Sequence, residues 1–150
     1  MTSPLKEKSF AFAVEIERLT QFLVNEKKEY VLSKQVLKSG TAIGTLIRES
    51  EYAASKADFI NKLTVALKEA NEIDFWLMLL YKTDYISKEK FDKLQSDCKE
   101  LIAMLISSIK TSKGRMNLSF ITFNFTLILQ FPFVATLLQV LTVVSNPRAI

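Results

Sequence analysis

The feature that most constrains this chain is an apolar stripe that repeats every three or four residues between positions 56 and 82. This spacing is the period of an α-helix with one buried face. Ser55 stands where an N-cap residue is expected, and Asp58 adds negative charge to the first turn. The pattern predicts a helix over Lys56–Lys82, with a buried face formed by Phe59, Leu63, Ala66, Ala70, Ile73, Leu77 and Leu80.

Three further segments have the same period and predict helices at about Glu7–Asn25, Ser33–Ala54 and Lys88–Thr111. The connectors between them are short, and the chain holds only three glycines and three prolines. Four helices joined in this way favour an antiparallel up-down arrangement. We therefore predict an all-α fold, with a four-helix bundle over residues 1–114 and a hydrophobic C-terminal extension over residues 115–150.

The residue types that the chain lacks exclude most kinds of catalytic site. Without histidine there is no Ser-His or Cys-His dyad and no imidazole metal ligand. The single cysteine, Cys98, cannot form an internal disulfide, and its place in an apolar stripe predicts a core residue. We expect no cofactor, no metal and no enzymatic activity, and the lack of a signal-peptide core favours the cytoplasm. The alternative is an all-carboxylate magnesium site, although charged helix faces explain its candidates more simply: Glu15, Glu17, Glu69, Glu72 and Asp74.

Two pairs of residues predict contacts between subunits. Gly40 and Gly44 lie four residues apart on one face of the second helix, where each costs about 1 kcal/mol relative to alanine. That cost indicates close approach of another backbone, and the alternative is a kink or a break into two short helices. Phe75 and Trp76 lie outside the main apolar stripe of the third helix, and such aromatic residues often anchor an oligomer interface. The alternative for Trp76 is that it closes one end of the monomer's own core.

Basic residues in the middle of the chain predict a phosphate-binding surface. All 16 acidic residues precede residue 101, and all but two of the 20 basic residues precede residue 114, so the net charge of the bundle is only slightly positive. Phosphate binding needs several cations on one surface, and no helix carries the clustered side chains that read base sequence. We therefore expect contacts with the RNA or DNA backbone, through Lys34, Lys38, Arg48, Lys56 and Lys62. The alternative is an ordinary helix surface in which these cations pair with Glu49, Glu51, Asp58, Glu69 and Glu72.

The segment Ser33–Leu80 closely resembles the four-helix-bundle proteins of the 23S rRNA intervening-sequence family, also labelled an S23 ribosomal protein family. The resemblance extends more loosely over residues 5–113. The chain departs from the family at Ala42, Thr45 and Leu46, where Ser, Ala and Asn are usual, and at Ile73, where Thr is usual. The resembling motifs are SGTxIG at Ser39–Gly44, SKADFINKL at Ser55–Leu63, ALKEANE at Ala66–Glu72 and an aromatic-Trp-Leu step at Phe75–Leu77.

The resemblance implies a bundle that assembles as a ring-like homopentamer. It also implies a relationship to the accessory variability protein of diversity-generating retroelements, which is similar in fold and associates with nucleic acid and a reverse transcriptase. Members of the family are often encoded inside intervening sequences of rRNA genes, which does not make them parts of the ribosome. The partners implied are further copies of this chain, RNA or DNA, and a partner protein.

The C-terminal extension contains an uncharged segment, Leu118–Val144, that is long enough to cross a bilayer as a helix. Asn124, Gln130 and Pro132 interrupt it, and the alternation of apolar residues over 121–129 is typical of a strand. Three interpretations are open. The segment is a membrane anchor, which would make the chain a membrane-tethered interaction module, or it packs on the bundle, or it is an atypical extension such as a frameshifted or read-through end.

Overall fold

The all-α fold is confirmed by a computed structural model, which describes residues 3–130, with side chains for residues 3–114. No strand occurs within residues 3–130. Tertiary contacts group Met1–Ser112 into one compact unit and Lys113–Ile150 into a second. The helices are α1 (Pro4–Asn25), α2 (Leu32–Ser50), α3 (Lys56–Lys82) and α4 (Lys88–Gln130).

The bounds of α3 agree with the sequence prediction because its start is fixed by local hydrogen bonds. The Ser55 hydroxyl accepts a hydrogen bond from the backbone N–H of Asp58 at 3.1 Å. The Asp58 carboxylate in turn accepts one from the backbone N–H of Ala54 at 3.1 Å. The first contact satisfies an N–H group that the helix itself leaves without a partner, and the second fixes the residue before the cap. At the start of α4, the Ser87 hydroxyl accepts from the N–H of Lys90 at 3.3 Å, as expected of a capping serine.

The structure corrects the predicted bounds at one end of α1 and one end of α2, and it decides whether α2 is broken. α1 begins at Pro4 rather than Glu7, because proline fits the first helical position, where no N–H is needed. α2 ends at Ser50 rather than Ala54, because the N–H groups of Glu51, Tyr52 and Ala53 donate to carbonyl oxygens three residues earlier instead of four. α2 runs without a break through Gly40 and Gly44, so the alternative of two short helices is wrong.

The end of α4 differs most from the prediction. The helix continues past Thr111 to Gln130, so the apolar alternation over 121–129 lies in a helix and not in a strand. No proline and only one glycine occur between Lys88 and Gln130, and helical hydrogen bonds satisfy the backbone without a partner strand. Within residues 3–130, no helix combines the length and apolar character needed to cross a bilayer. The rest of the predicted segment, residues 131–144, lies outside the described part of the chain.

Pairs of side chains on neighbouring helices show the antiparallel arrangement of the unit Met1–Ser112. Lys6, near the start of α1, lies 2.7 Å from Glu51, which directly follows the end of α2. Lys62, near the start of α3, lies 3.2 Å from Glu49, near the end of α2. α1 and α4 also run in opposite directions, since Lys8 pairs with Glu100 at 2.6 Å and the later residue Glu15 pairs with the earlier residue Lys93 at 2.9 Å. The core between the helices is apolar and includes Cys98, which confirms its prediction as a core residue. Its largest fully buried side chains are Ile16, Leu19, Leu23, Ile43, Leu63, Ile73, Leu77, Leu80, Leu94, Leu101 and Leu105.

Candidate nucleic-acid interface

One outward face of α2 carries three of the five predicted cations. The opposite face of the helix is buried, through residues such as Val36, Ile43 and Ile47. Spacings of four, three, four and three residues place five side chains on the outward face. We call them the α2 stripe: Lys34, Lys38, Thr41, Thr45 and Arg48.

The cations of the α2 stripe are its available hydrogen-bond donors. The Thr41 hydroxyl donates to the backbone oxygen of Leu37 at 2.7 Å, and the Thr45 hydroxyl donates to that of Thr41 at 3.2 Å. Lys34, Lys38 and Arg48 are exposed. No ion pair involves them among the side chains of residues 3–114. The stripe therefore presents three positive charges to solvent without a carboxylate partner.

The remaining two predicted cations lie on α3 and differ from each other. Lys56 is the first residue of α3, is exposed, and forms no ion pair within residues 3–114. The Lys62 ammonium lies 3.2 Å from the Glu49 carboxylate, across the α2–α3 contact. For Lys62 the alternative interpretation, an ordinary ion-paired helix surface, therefore describes the structure.

Arg48, the last residue of the α2 stripe, lies near two exposed aromatic residues. Its guanidinium lies 5.4 Å from the ring centroid of Phe10, which is 57% exposed. Phe10, Arg48 and Tyr52 line a shallow depression of about 440 Å³ at the start of α1 and the end of α2, together with Lys6 and the carboxylates of Glu7 and Glu51. Sequence reasoning missed Phe10 and Tyr52, because an exposed aromatic residue has no periodic signature.

The two glycines of α2 face α1 of the same chain. A Cβ atom at Gly40 would lie 2.7 Å from Cγ2 of Ile16, so the group that approaches Gly40 closely is a side chain of α1 in the same chain and not another backbone. A Cβ atom at Gly44 would lie 3.6 Å from the backbone oxygen of Ser9, which is an ordinary contact distance. Gly44 is half-buried and lines a second depression, beside Phe10 and Thr41. The role of both glycines in an oligomer interface stays a prediction.

Phe75 and Trp76 differ in burial although they are adjacent. Phe75 is 59% exposed, and its ring contacts the edge of Trp76 at a centroid distance of 5.1 Å. Trp76 is half-buried against the core, and its indole N–H donates to the Glu72 carboxylate at 3.4 Å. Trp76 thus contributes to the monomer's own core, and Phe75 is the residue of the two that is free to contact another subunit.

The carboxylates considered for a magnesium site are dispersed. Glu15 contacts Lys93 at 2.9 Å and Arg18 at 2.7 Å; the hydrogen bond from Lys93 is the main cause that holds the pKa of Glu15 below its usual value. Asp74 accepts a hydrogen bond from the Gln95 amide at 3.1 Å. Within the described residues, no group of three or more acidic or cysteine side chains is placed to hold a metal ion.

Cys98 has the surroundings of a structural cysteine. Burial, with a smaller contribution from the charge of Asp74, raises the pKa of its thiol to about 12. The thiol lies 3.2 Å from the backbone oxygen of Ala70 and donates to it. A thiol that stays protonated and buried is a poor nucleophile, so the geometry offers no cysteine chemistry.

Comparison with known proteins gives a family and a structural relative. A sequence model of the family described as "23S rRNA-intervening sequence protein" matches residues 3–107. A crystal structure from Bacteroides thetaiotaomicron, described as a protein with unknown function from the S23 ribosomal protein family, is similar with a TM-score of 0.70 and 57% sequence identity. The match covers 71% of this chain and 95% of the relative. No curated protein matches this chain significantly.

Proposed function

This chain belongs to the 23S rRNA-intervening sequence protein family, and we propose that it is a non-enzymatic, self-assembling scaffold that holds RNA or DNA by the phosphate backbone. The similar crystal structure is described as a protein with unknown function, so the proposal rests on the surface of this chain. The observation that carries it is the α2 stripe, with three exposed cations and no acidic partner among residues 3–114.

The contrast with the ion-paired cations supports this assignment, although other lysines, such as Lys27, Lys56 and Lys90, also form no ion pair within residues 3–114. Six basic residues of the bundle form ion pairs, and each is partly neutralised by its carboxylate: Lys6, Lys8, Arg18, Lys62, Lys88 and Lys93. Exposed pairs of this kind contribute only about 0–1 kcal/mol to stability, and they leave little positive potential for a ligand. A cation without a partner keeps its full attraction for a phosphate and releases a counterion from the nucleic acid on binding.

The dimensions of the α2 stripe suit one nucleic-acid strand. At about 1.5 Å of rise per residue, Lys34 and Lys38 are separated by about 6 Å along the helix, and Lys34 and Arg48 by about 21 Å. Phosphates along one strand of a duplex are spaced about 3.4 Å apart along the axis, so the stripe spans about six nucleotides. Contacts of this type position a backbone and carry no base specificity.

Self-assembly is the second part of the proposal. Three cations per chain give weak binding alone, but a ring of copies, as the resemblance to the family implies, would present several stripes to one nucleic acid. Phe75 is the candidate anchor of the subunit contact, because a phenylalanine that is 59% exposed leaves apolar area in water. The avidity of several linked sites exceeds the affinity of one site without any new contact.

The experiment compares two variants of the full chain with equal loss of charge. In the first, Lys34, Lys38 and Arg48 are replaced by Gln; in the control, Lys8, Lys88 and Lys93 are replaced by Gln. Binding of fluorescent 20-nucleotide RNA and DNA is followed by anisotropy between about 50 and 300 mM salt. We expect the stripe variant to bind less tightly than the control and to have a shallower dependence of log K on log salt, by about 0.7 to 0.9 for each phosphate that the variant no longer neutralises.

Three outcomes would contradict the proposal. The first is that the unchanged protein binds neither RNA nor DNA at low salt. The second is that it binds with an affinity that does not depend on ionic strength, and the third is that both variants weaken binding equally. The last outcome would indicate a response to net charge rather than to the α2 stripe. Circular dichroism of both variants establishes that they are folded before binding is compared.

A further inference from the structure

A cavity of about 540 Å³ lies at the end of the bundle where α1 ends and α4 begins. Small-molecule sites commonly have volumes of roughly 300–1,000 Å³, so this cavity can hold a ligand of one or two rings. Its walls come from α1, from the connector after it, from the turn between α3 and α4, and from the first turn of α4. We call it the end cavity. It shares no residue with the α2 stripe.

The floor of the end cavity is apolar. Ile86 is 6% exposed and belongs to the core, whereas Phe22 is 40% exposed, which is high for such a large apolar side chain. Tyr85 is half-buried beside them. An apolar ring placed on this floor would remove the exposed part of Phe22 from water, which is favourable in proportion to the area covered.

The rim of the end cavity is rich in hydrogen-bond donors. The Lys27 ammonium lies 5.9 Å from the Phe22 ring centroid, and Lys90 is half-buried. Among the side chains of residues 3–114, neither lysine has a carboxylate partner and the Tyr85 hydroxyl has no hydrogen-bond partner. Neighbouring Lys88, by contrast, is paired with Asp92 at 2.5 Å. Lys27 is exposed, and neither ammonium group is bound to a carboxylate, so both can donate charged hydrogen bonds to an anion at this rim.

The turn that forms one wall is fixed before any ligand binds. Asp84 adopts a left-handed backbone conformation with φ 58°, and its N–H donates to the backbone oxygen of Tyr81 at 3.2 Å. The N–H of Tyr85 donates to that of Leu80 at 2.9 Å. These bonds close the C-terminal end of α3 and set the position of Tyr85. Among the described residues that line the cavity, Asp84 carries the only carboxylate, so the two lysines leave the lining with a positive balance.

We propose that the end cavity binds a small organic anion that carries an aromatic ring, such as an aromatic carboxylate or an aryl phosphate. The ring covers Phe22 and Ile86, and the anionic group is bound by Lys27, Lys90 and the hydroxyl of Tyr85. The site is separate from the α2 stripe, so it does not depend on the binding of nucleic acid.

The probe for the test is 8-anilinonaphthalene-1-sulfonate, an aromatic anion whose fluorescence rises in an apolar site, titrated into the full chain. Replacing Lys27 and Lys90 with Gln removes both cations of the rim, and we expect the probe's affinity to fall about tenfold, since charged hydrogen bonds are the strong ones. The matched control replaces Lys68 and Lys99 with Gln, two exposed lysines that form no ion pair among residues 3–114 and do not line the end cavity. It loses the same charge and is expected to keep the affinity of the unchanged protein.

Asp84→Asn gives a test in the opposite direction. Asparagine tolerates the left-handed conformation as aspartate does, so the turn is preserved while the one negative charge of the rim is lost. We expect the affinity for the probe to rise about threefold, in a titration that saturates at one site. A damaged or partly unfolded variant would not give such a saturable one-site titration. Thermal melting followed by circular dichroism compares the stability of all three variants.

Competition separates the role of the charge from that of the ring. Benzoate and phenyl phosphate are expected to displace the probe, whereas benzyl alcohol and inorganic phosphate at the same concentration are not. The proposal is overturned if the unchanged protein does not bind the probe, if the Lys27 and Lys90 variant equals its control, or if benzyl alcohol competes as well as benzoate. The last result would show an apolar depression without anion recognition. None of these outcomes bears on the α2 stripe.

Discussion

A Cβ atom added at Gly40 would lie 2.7 Å from Cγ2 and 2.8 Å from Cγ1 of Ile16, a side chain with no exposed area. At Gly44, four residues later on the same face, the nearest atom is the backbone oxygen of Ser9 at 3.6 Å. From the sequence alone, the two glycines have equivalent positions, since both lie inside a predicted helix and on the same face of it. Their surroundings make them different, because only Gly40 is opposed by a branched and fully buried side chain.

Replacement of each glycine by alanine should change stability in opposite directions. Gly40→Ala forces Ile16 to move in a packed core, and we expect it to lower the free energy of unfolding by about 1–3 kcal/mol. Gly44→Ala gains helix propensity without a clash, and we expect it to raise that free energy by up to about 1 kcal/mol. Urea unfolding followed by circular dichroism measures both. Equal effects of the two changes would contradict this account.

Glu29 shows how one side chain decides where a helix begins. The residue is only 8% exposed, although it lies in the charged connector between α1 and α2. Its carboxylate accepts hydrogen bonds from the backbone N–H groups of Val31, Leu32 and Ser33, at 2.9, 2.8 and 2.7 Å. Burial by itself raises the pKa of Glu29, but these donors together outweigh burial and hold the pKa below its usual value. The charged carboxylate therefore satisfies the first turn of α2.

We expect Glu29→Ala to lower the free energy of unfolding by about 1–2 kcal/mol at neutral pH, as the removal of a helix cap does. Because the folded-state pKa is depressed, the stabilising effect is present above the pKa of the unfolded chain and is lost as the pH falls through the folded-state value. The difference in stability between the unchanged protein and the variant should thus shrink in acid. Urea unfolding at neutral and acidic pH measures it.

Glu29→Gln is the comparison for this prediction. The amide keeps one acceptor oxygen but loses the negative charge, so the variant should lie between the unchanged protein and Glu29→Ala at neutral pH. A difference between the unchanged protein and Glu29→Ala that stayed constant with pH would contradict the assignment of this carboxylate as the cap of α2.

The proposed self-assembly depends on which surface remains apolar once the bundle has formed. Phe75 is 59% exposed, whereas its neighbour Trp76 is partly buried against the core. Exposed apolar area of this kind on a bundle with a complete core favours contact with a second molecule.

Phe75→Ser should therefore reduce the mass of the protein in solution. We expect the unchanged full chain to have a mass several times 17.1 kDa by light scattering, five times for the pentamer that the family resemblance implies, and the variant to shift toward 17.1 kDa. Tyr30→Ser is the matched control, because Tyr30 is 53% exposed but lies in the connector before α2. A monomeric unchanged protein, or an equal decrease of mass in both variants, would contradict this role of Phe75.

The sequence by itself determined the four helices, most of the core and the common face of Lys34, Lys38 and Arg48. These features follow from the period of the helix, which places residues three and four apart on one side whatever the neighbours are. The capping of α3 by Ser55 was predictable for the same reason, since its partner is three residues away.

Only the tertiary structure decided the features that join distant parts of the chain. The pairing of Lys62 with Glu49, the close approach of Ile16 to Gly40 and the end cavity each depend on how antiparallel helices pack. A periodic pattern states that a face is buried, but not which side chain of another helix lies opposite, because that depends on the relative shift and rotation of the two helices. For this reason, the sequence indicated charged and aromatic surfaces, and the packing decided which of their residues are left without a partner.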